Sequence, residues 1–149
     1  MQLNYKKILE YQKNRHPYLM IDYATNVVPG ISSDGYKDLI DDWFFDVHWK
    51  DDPNMPGMLQ VEALVQMSSL SILTLPNLKG KILYLTSADK LKFYKKILKG
   101  DRLIINTKVL SWKRGLGKFF GEGRVKNELA CKAEFCLVLP ELLNKYKID

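Results

Sequence analysis

The chain has 149 residues, 46% of them hydrophobic and 27% charged, which fits a single soluble globular domain over 1–149 and excludes a disordered or fibrous protein. Its formal net charge of +6 favours acidic partners without identifying them. The longest apolar segment is interrupted by polar residues and the first residues lack the apolar run of a secretory signal, so we expect a cytoplasmic protein without a membrane span.

The first half of the chain predicts a short helix, two strands and a long buried helix. Apolar residues recur at helical spacing over 4–14, and His16-Pro17 is expected to end that helix. A β-branched and aromatic run over 18–30 predicts a strand, and a less regular extended segment follows over 35–49. From Met55 to about Leu73 apolar residues cover nearly every face, which predicts an enclosed central helix.

The second half predicts an antiparallel sheet. Four β-rich runs cover 81–96, 101–114, 117–127 and 128–140. Turn residues at Gly100-Asp101, at Gly115 to Gly117 and at Asn127-Glu128 favour hairpin connections between them. Cys131 and Cys136 lie an odd number of positions apart on a predicted strand, so they face opposite ways and are expected to be free thiols. A buried helix followed by such a sheet is an α+β fold in which the sheet wraps the helix.

A polar stripe interrupts the apolar surface of the predicted central helix. Glu62, Gln66 and Ser69 lie at positions i, i+4 and i+7, and therefore on one face. Burial raises the pKa of a carboxyl group, and a carboxylic acid that stays neutral near pH 7 suits general-acid catalysis. The alternative is that Glu62 faces solvent or a subunit interface and takes no part in chemistry.

The segment before this helix carries a candidate base and a candidate amide donor. Asn54 is expected to cap the helix, and Gly57 leaves its N–H unobstructed, so that it can polarise a bound thioester or ester carbonyl. The alternative for Gly57 is a tight entry into the helix. His48 supplies an imidazole, the usual general base near neutral pH, although a lone histidine is more often structural.

The spacing from His48 through Gly57 to Glu62, with the motifs MPG and EALVQ, resembles the 3-hydroxyacyl-[acyl-carrier-protein] dehydratases of the hot-dog fold. The segments HPYLMIDYATNVVPG, LKFYKKILKGDRL and KRGLGKFFGEGRV extend the likeness over most of the chain. The resemblance implies an antiparallel sheet around a central helix and no metal or organic cofactor. It also implies a homodimer or trimer of dimers in which the histidine of one subunit meets the glutamate of the other.

The same resemblance assigns roles to three residues and an activity to the chain. By position, His48 matches the catalytic histidine, Glu62 the catalytic acid and Gly57 the backbone donor to the thioester carbonyl. The implied reaction is dehydration of 3-hydroxyacyl thioesters to trans-2-enoyl thioesters, on acyl-carrier protein, in fatty-acid or polyketide-type synthesis. A hot-dog thioesterase and a non-catalytic acyl-binding hot-dog subunit remain alternatives.

The loop after His48 departs from the family pattern Gly-His-Phe-Pro-Gly-His-Pro, since residues 47–53 read VHWKDDP. Asp51 replaces a glycine and is expected to tolerate a positive φ. Lys50 replaces a proline, which removes a backbone restraint. Asp52 replaces a histidine, and a carboxylate beside His48 would favour the imidazolium form.

Basic residues cluster in two later segments and are candidates for docking an acidic carrier protein. The alternative is a solvated edge protected by lysines; nucleic-acid binding is less favoured because no recognised motif accompanies the charge. The cluster comprises Lys92, Lys95, Lys96, Lys99, Arg102, Lys113, Arg114 and Lys118.

Overall fold

A computed structural model describes residues 1–147 and shows one antiparallel sheet packed around a long helix. In chain order the elements are α1 (Tyr5–Tyr11), β1 (Tyr23–Val28), β2 (Ser32–Asp38), a short 3₁₀ helix (Trp43–Asp46), α2 (Gly57–Leu73), β3 (Tyr84–Phe93), β4 (Arg102–Lys113), β5 (Leu116–Val125), β6 (Glu128–Val138) and α3 (Pro140–Asn144). The strand order in the sheet is β1-β2-β4-β5-β6-β3. The predicted α+β architecture is confirmed.

Helix α2 is the centre of the core, as its apolar sequence predicts. Thirteen of its 17 residues are buried, so the helix is enclosed on all sides rather than along one stripe. A Cβ at Gly35 on β2 would lie 2.5 Å from the Met67 Cε, which shows how closely the sheet approaches the helix. Among residues 1–147, no helix combines the length and apolarity required to cross a bilayer.

Two of the three predicted hairpins form, each through a two-residue turn. Strands β4 and β5 are joined at Arg114-Gly115, and β5 and β6 at Lys126-Asn127. All four turn residues have positive φ, between 51° and 82°, as a type I′ turn requires. Both turns start one residue earlier than predicted, so that Gly117 lies within β5 and Glu128 within β6.

The predicted hairpin at Gly100-Asp101 is wrong. Strand β3 pairs with β6, whereas β4 pairs with β2 and β5. The turn itself hydrogen-bonds to the end of β2, because the Gly100 N–H donates to the Leu39 carbonyl at 2.6 Å and the Leu39 N–H donates to the Asp101 carbonyl at 2.9 Å. These bonds direct the chain across the sheet to β2 instead of back along β3.

The two edges of the sheet differ in how they are covered. At the β1 edge, Leu3 exchanges two backbone hydrogen bonds of 2.9 Å with Ala24. The β3 edge exposes large apolar side chains, with Tyr84 55%, Leu85 43% and Phe93 48% exposed. An open edge with exposed apolar residues is a surface on which another chain can pair.

The cysteine prediction is confirmed. Cys131 and Cys136 both lie on β6 and are free. Cys131 is buried, and burial raises the pKa of its thiol to about 11, so it stays protonated at neutral pH.

Candidate active site

His48 lies just after the 3₁₀ helix and is fixed by two contacts. Its backbone N–H donates to the Phe44 carbonyl at 2.8 Å, and its ring Nδ1 lies 3.0 Å from the Asn54 carbonyl oxygen. A carbonyl oxygen only accepts hydrogen bonds, so we assign the ring proton to Nδ1. In the neutral ring Nε2 is then unprotonated, which is the form that a general base requires.

The loop after His48 is held by contacts that its sequence did not reveal. Within residues 47–53, Trp49 has a positive φ of 59°. Asp51, which was expected to adopt a positive φ, does not have one. An aromatic residue in this conformation costs roughly 1–2 kcal/mol. The Trp49 ring stacks on His48 with centroids 4.4 Å apart, and its carbonyl accepts from the Asp52 N–H at 2.8 Å. These contacts stabilise the loop without the family's proline.

The side chain of Asp52 is directed to a lysine rather than to His48. Its two carboxylate oxygens lie 2.9 Å and 2.7 Å from the Lys96 Nζ. Asp52 and Lys96 are 51% and 61% exposed, so the pair adds little to stability. The expected contact between Asp52 and the imidazole is absent among the ion pairs of residues 1–147.

Helix α2 begins with an unpaired backbone amide next to His48. The expected cap by Asn54 is wrong, because the N-cap residue is Pro56 and the Asn54 side chain donates to the Asp52 carbonyl at 2.8 Å. No backbone hydrogen bond recorded for residues 1–147 uses the Gly57 N–H. Such free amides at a helix start carry partial positive charge and can bind an oxygen with developing negative charge.

An open cleft of about 430 Å³ brings the histidine and the helix start together. Its lining includes His48, Trp49, Gly57, Gln60, Phe93 and Tyr94, with Lys95 and Lys96 also present. A Cβ at Gly57 would lie 3.0 Å from the Phe93 ring, so a side chain there would narrow the cleft. His48 and Gly57 therefore line the same cleft.

Glu62 lies on another side of α2, in a polar environment of its own. Burial raises the pKa of its carboxyl, partly offset by a hydrogen bond from Gln66 Nε2 at 2.8 Å. The charge of Glu62, together with desolvation, raises the pKa of the Tyr18 hydroxyl. Gln66 Nε2 links the two residues, because it also donates to the Tyr18 carbonyl at 3.0 Å. A carboxyl with a raised pKa is suited to delivering a proton.

Within one chain the structure does not bring His48 and Glu62 together. Glu62 does not line the cleft of His48, and no hydrogen bond or ion pair found among residues 1–147 joins them. The geometry of α2 explains this, because Glu62 follows Gly57 by five positions, which is about 140° around the helix axis.

Comparison with known proteins identifies the family. The FabA-like domain profile matches residues 13–134. The 3-hydroxyacyl-[acyl-carrier-protein] dehydratase FabZ of Clostridium novyi (strain NT) is 33% identical over 140 residues, which cover 92% of this chain and 99% of that protein. The chain belongs to the FabA-like dehydratase family. The FabZ dehydratase of Alkaliphilus metalliredigens is 36% identical over 143 residues, with coverages of 94% and 97%.

Solved structures share the hot-dog fold of this FabA-like dehydratase at lower sequence identity. The dehydratase heterocomplex ApeI:P from Xenorhabdus doucetiae matches with a TM-score of 0.76 and 15% identity, covering 93% of this chain and 95% of that one. A hypothetical thioesterase with coenzyme A from Streptococcus pneumoniae TIGR4 matches with a TM-score of 0.61 and 14% identity, covering 78% and 83%. At these identities the likeness establishes the fold alone.

Most of the basic cluster of this dehydratase pairs with acidic residues of the same chain. The pairs are Lys95–Glu128, Lys96–Asp52, Lys99–Asp41, Arg102–Asp38 and Lys118–Glu134. The Arg114 guanidinium lies 5.5 Å from the centre of the Tyr146 ring. The cluster is therefore less positive than its sequence suggests, although Lys95 and Lys96 remain beside the cleft.

Two residues near the candidate groups, Gln66 and Gln60, had no catalytic or binding role in the sequence-based site. Gln66 belonged to the predicted stripe, but its partners Tyr18 and Met20 are more than 40 positions away and no local pattern indicates them. The sequence did contain a signal for Gln60, because it is a polar residue inside the apolar run GMLQVEALV. Its place in the cleft depends on the loop before the helix.

Proposed function

We propose that this protein dehydrates 3-hydroxyacyl thioesters carried on acyl-carrier protein to trans-2-enoyl thioesters, in fatty-acid or polyketide-type synthesis. The observation that carries the proposal is the pairing of His48, whose Nδ1 contacts the Asn54 carbonyl, with the unpaired Gly57 N–H in one cleft. Similarity to FabZ dehydratases over nearly the whole chain supports the same reaction.

In the proposed mechanism, His48 Nε2 removes a proton from C2 of the substrate. Negative charge then develops on the thioester oxygen, which accepts a hydrogen bond from the Gly57 N–H. Glu62, whose pKa is raised by burial, donates its proton to the 3-hydroxyl group, which leaves as water. The C2–C3 double bond forms as the C3–O bond breaks, and proton transfer from His48 to Glu62 restores both groups.

We propose further that Glu62 acts across a homodimer, in which each His48 cleft is completed by the partner subunit. The orientation of Glu62 away from its own cleft supports this arrangement, and the open, apolar β3 edge supports pairing of two copies. A trimer of such dimers is the larger assembly that the family resemblance implies.

Acyl-carrier protein is the proposed carrier of the substrate. The names of the FabZ relatives and the position of Lys95 and Lys96 beside the cleft support this choice. Lys95 already pairs with Glu128, and Lys96 pairs with Asp52. An acidic carrier protein would therefore replace these carboxylates as the partners of the two lysines. Because the existing pairs are largely exposed, exchanging them costs little.

The test is turnover of a 3-hydroxyacyl thioester on acyl-carrier protein by purified full-length protein. His48→Ala and Glu62→Gln should each lower turnover by about 10²–10⁴-fold, because each removes one proton-transfer group. The matched control is His16→Ala, which removes the chain's other histidine, an exposed residue outside the cleft, and should leave turnover unchanged. Release of free thiol without any enoyl thioester would replace dehydration by thioester hydrolysis.

A further inference from the structure

Gln60 is a buried side chain with one unused hydrogen-bonding atom. It is 4% exposed, and its Nε2 donates to the Met55 carbonyl at 2.9 Å. This bond fixes the amide orientation, because the Met55 carbonyl can only accept. The Gln60 Oε1 is left buried without a partner among residues 1–147.

Gln60 belongs to the residues around the candidate site. Gln60 lines the same cleft as His48 and Gly57. It follows Gly57 by three positions on α2, so the two residues lie on one side of the helix, about 4.5 Å apart along its axis. A buried acceptor without a donor is unfavourable in the free protein, and a ligand that brings a donor removes that penalty.

The proposed substrate carries a donor near the group that Gly57 would bind. When the thioester oxygen lies at the Gly57 N–H, the 3-hydroxyl group is attached only two carbons from the carbonyl. We propose that Gln60 Oε1 accepts a hydrogen bond from this 3-hydroxyl group, an inference that depends on the proposed function.

This contact makes Gln60 a specificity-determining residue. The 3-hydroxyl keeps its own O–H bond to Gln60 while it takes a proton from Glu62, and the departing water carries that hydrogen away. The enoyl product has no hydroxyl group, so Gln60 Oε1 is unpaired again and the product binds less well than the substrate. Saturated acyl thioesters lack the donor too and are discriminated against for the same reason.

The experiment compares binding of two ligands that differ only in the hydroxyl group. Calorimetry on the full-length His48→Ala protein, which cannot remove the C2 proton, would use 3-hydroxyhexanoyl- and hexanoyl-pantetheine. The hydroxyacyl ligand should bind about two- to tenfold more tightly, the range expected for one hydrogen bond. Adding Gln60→Met, a substitution of similar volume, should reduce this preference to the part that contact with Glu62 supplies, mainly by weakening the hydroxyacyl ligand.

A matched control and a second variant make the result decisive. Ser33→Ala removes another buried oxygen without a partner, on β2 and outside the cleft, and should keep the preference. Gln60→Leu should behave like Gln60→Met. The proposal is overturned if either Gln60 variant keeps the full preference of the His48→Ala protein. It is also overturned if the His48→Ala protein has no preference, the result expected where a fixed water satisfies Oε1. Binding needs no turnover, so this failure is separate from a wild type without dehydratase activity.

Discussion

At the scale of single residues, the charge of Glu62 makes folding depend on pH. Burial raises its carboxyl pKa above the ordinary 4.5. Such a group stabilises the fold below its ordinary pKa and loses that contribution as pH rises through the raised value. Glu62→Gln should therefore increase the free energy of unfolding at pH 7 relative to wild type, with the difference disappearing near pH 4. Urea unfolding at the two pH values measures this.

Glu141 provides a control of opposite sign for that measurement. Lys81, 2.7 Å away, lowers the pKa of this exposed carboxyl. A lowered pKa stabilises the fold above the ordinary value and loses the contribution as pH falls, so Glu141→Gln should not stabilise the protein at pH 7. If Glu62→Gln destabilises the protein equally at both pH values, burial is not what controls Glu62.

Sequence reasoning identified the chemically distinctive residues but not their partners. His48, Gly57 and Glu62 stood out because their types and spacing are unusual for an apolar segment. The structure places the His48 ring against the Asn54 carbonyl and gives the Glu62 carboxyl a raised pKa. The partner of Asp52 was predicted wrongly, since Lys96 is 44 positions away and comes close only through the sheet. Trp49 was not predicted at positive φ, because its stacking on His48 outweighs an intrinsic preference against that conformation.

At the scale of elements, Gln66 ties α2 to the segment that enters β1. Its Oε1 accepts from the Met20 N–H at 2.6 Å, and its Nε2 donates to the Tyr18 carbonyl at 3.0 Å. Gln66→Leu would leave one buried and one part-buried backbone group unpaired and should lower the free energy of unfolding by about 2–4 kcal/mol. Denaturant unfolding measures the loss.

Ser69→Ala is the control for the loss of stability expected from Gln66→Leu. Ser69 lies on the same stripe of α2, but its hydroxyl donates only to the Val65 carbonyl of the same helix, at 2.8 Å. Its removal should cost less than about 1 kcal/mol, because the carbonyl keeps its helical partner. Equal losses for the two variants would show that Gln66 contributes packing rather than a link between elements.

Periodicity in the sequence predicted the helices and strands better than it predicted which strands pair. Apolar residues on all faces predicted α2 to within two residues, and positive-φ turn residues predicted the hairpins around β5. The pairing of β3 with β6 was missed because the turn at Gly100-Asp101 reads locally as a hairpin. Only the distant end of β2, which bonds to that turn, decides the connection.

At the scale of the whole molecule, one chain holds the proposed catalytic groups in two separate places. One chain provides a cleft with His48 and Gly57 and, elsewhere on α2, Glu62 with its raised pKa. The sequence resemblance implied a second copy, and the open β3 edge is the surface of this chain best suited to receive it. Sedimentation should therefore show at least a dimer at micromolar concentration.

Mixing two inactive variants tests whether the site is shared between subunits. In a heterodimer of His48→Ala and Glu62→Gln, one site combines the intact His48 of one chain with the intact Glu62 of the other, and the second site has lost both groups. Equal mixing with free subunit exchange makes half of the dimers mixed, so activity should recover to about one quarter of wild type. Native mass spectrometry verifies the exchange, and the dehydration assay measures recovery. Mixed dimers without activity would mean that His48 and Glu62 act within one chain, since every chain then carries a defect.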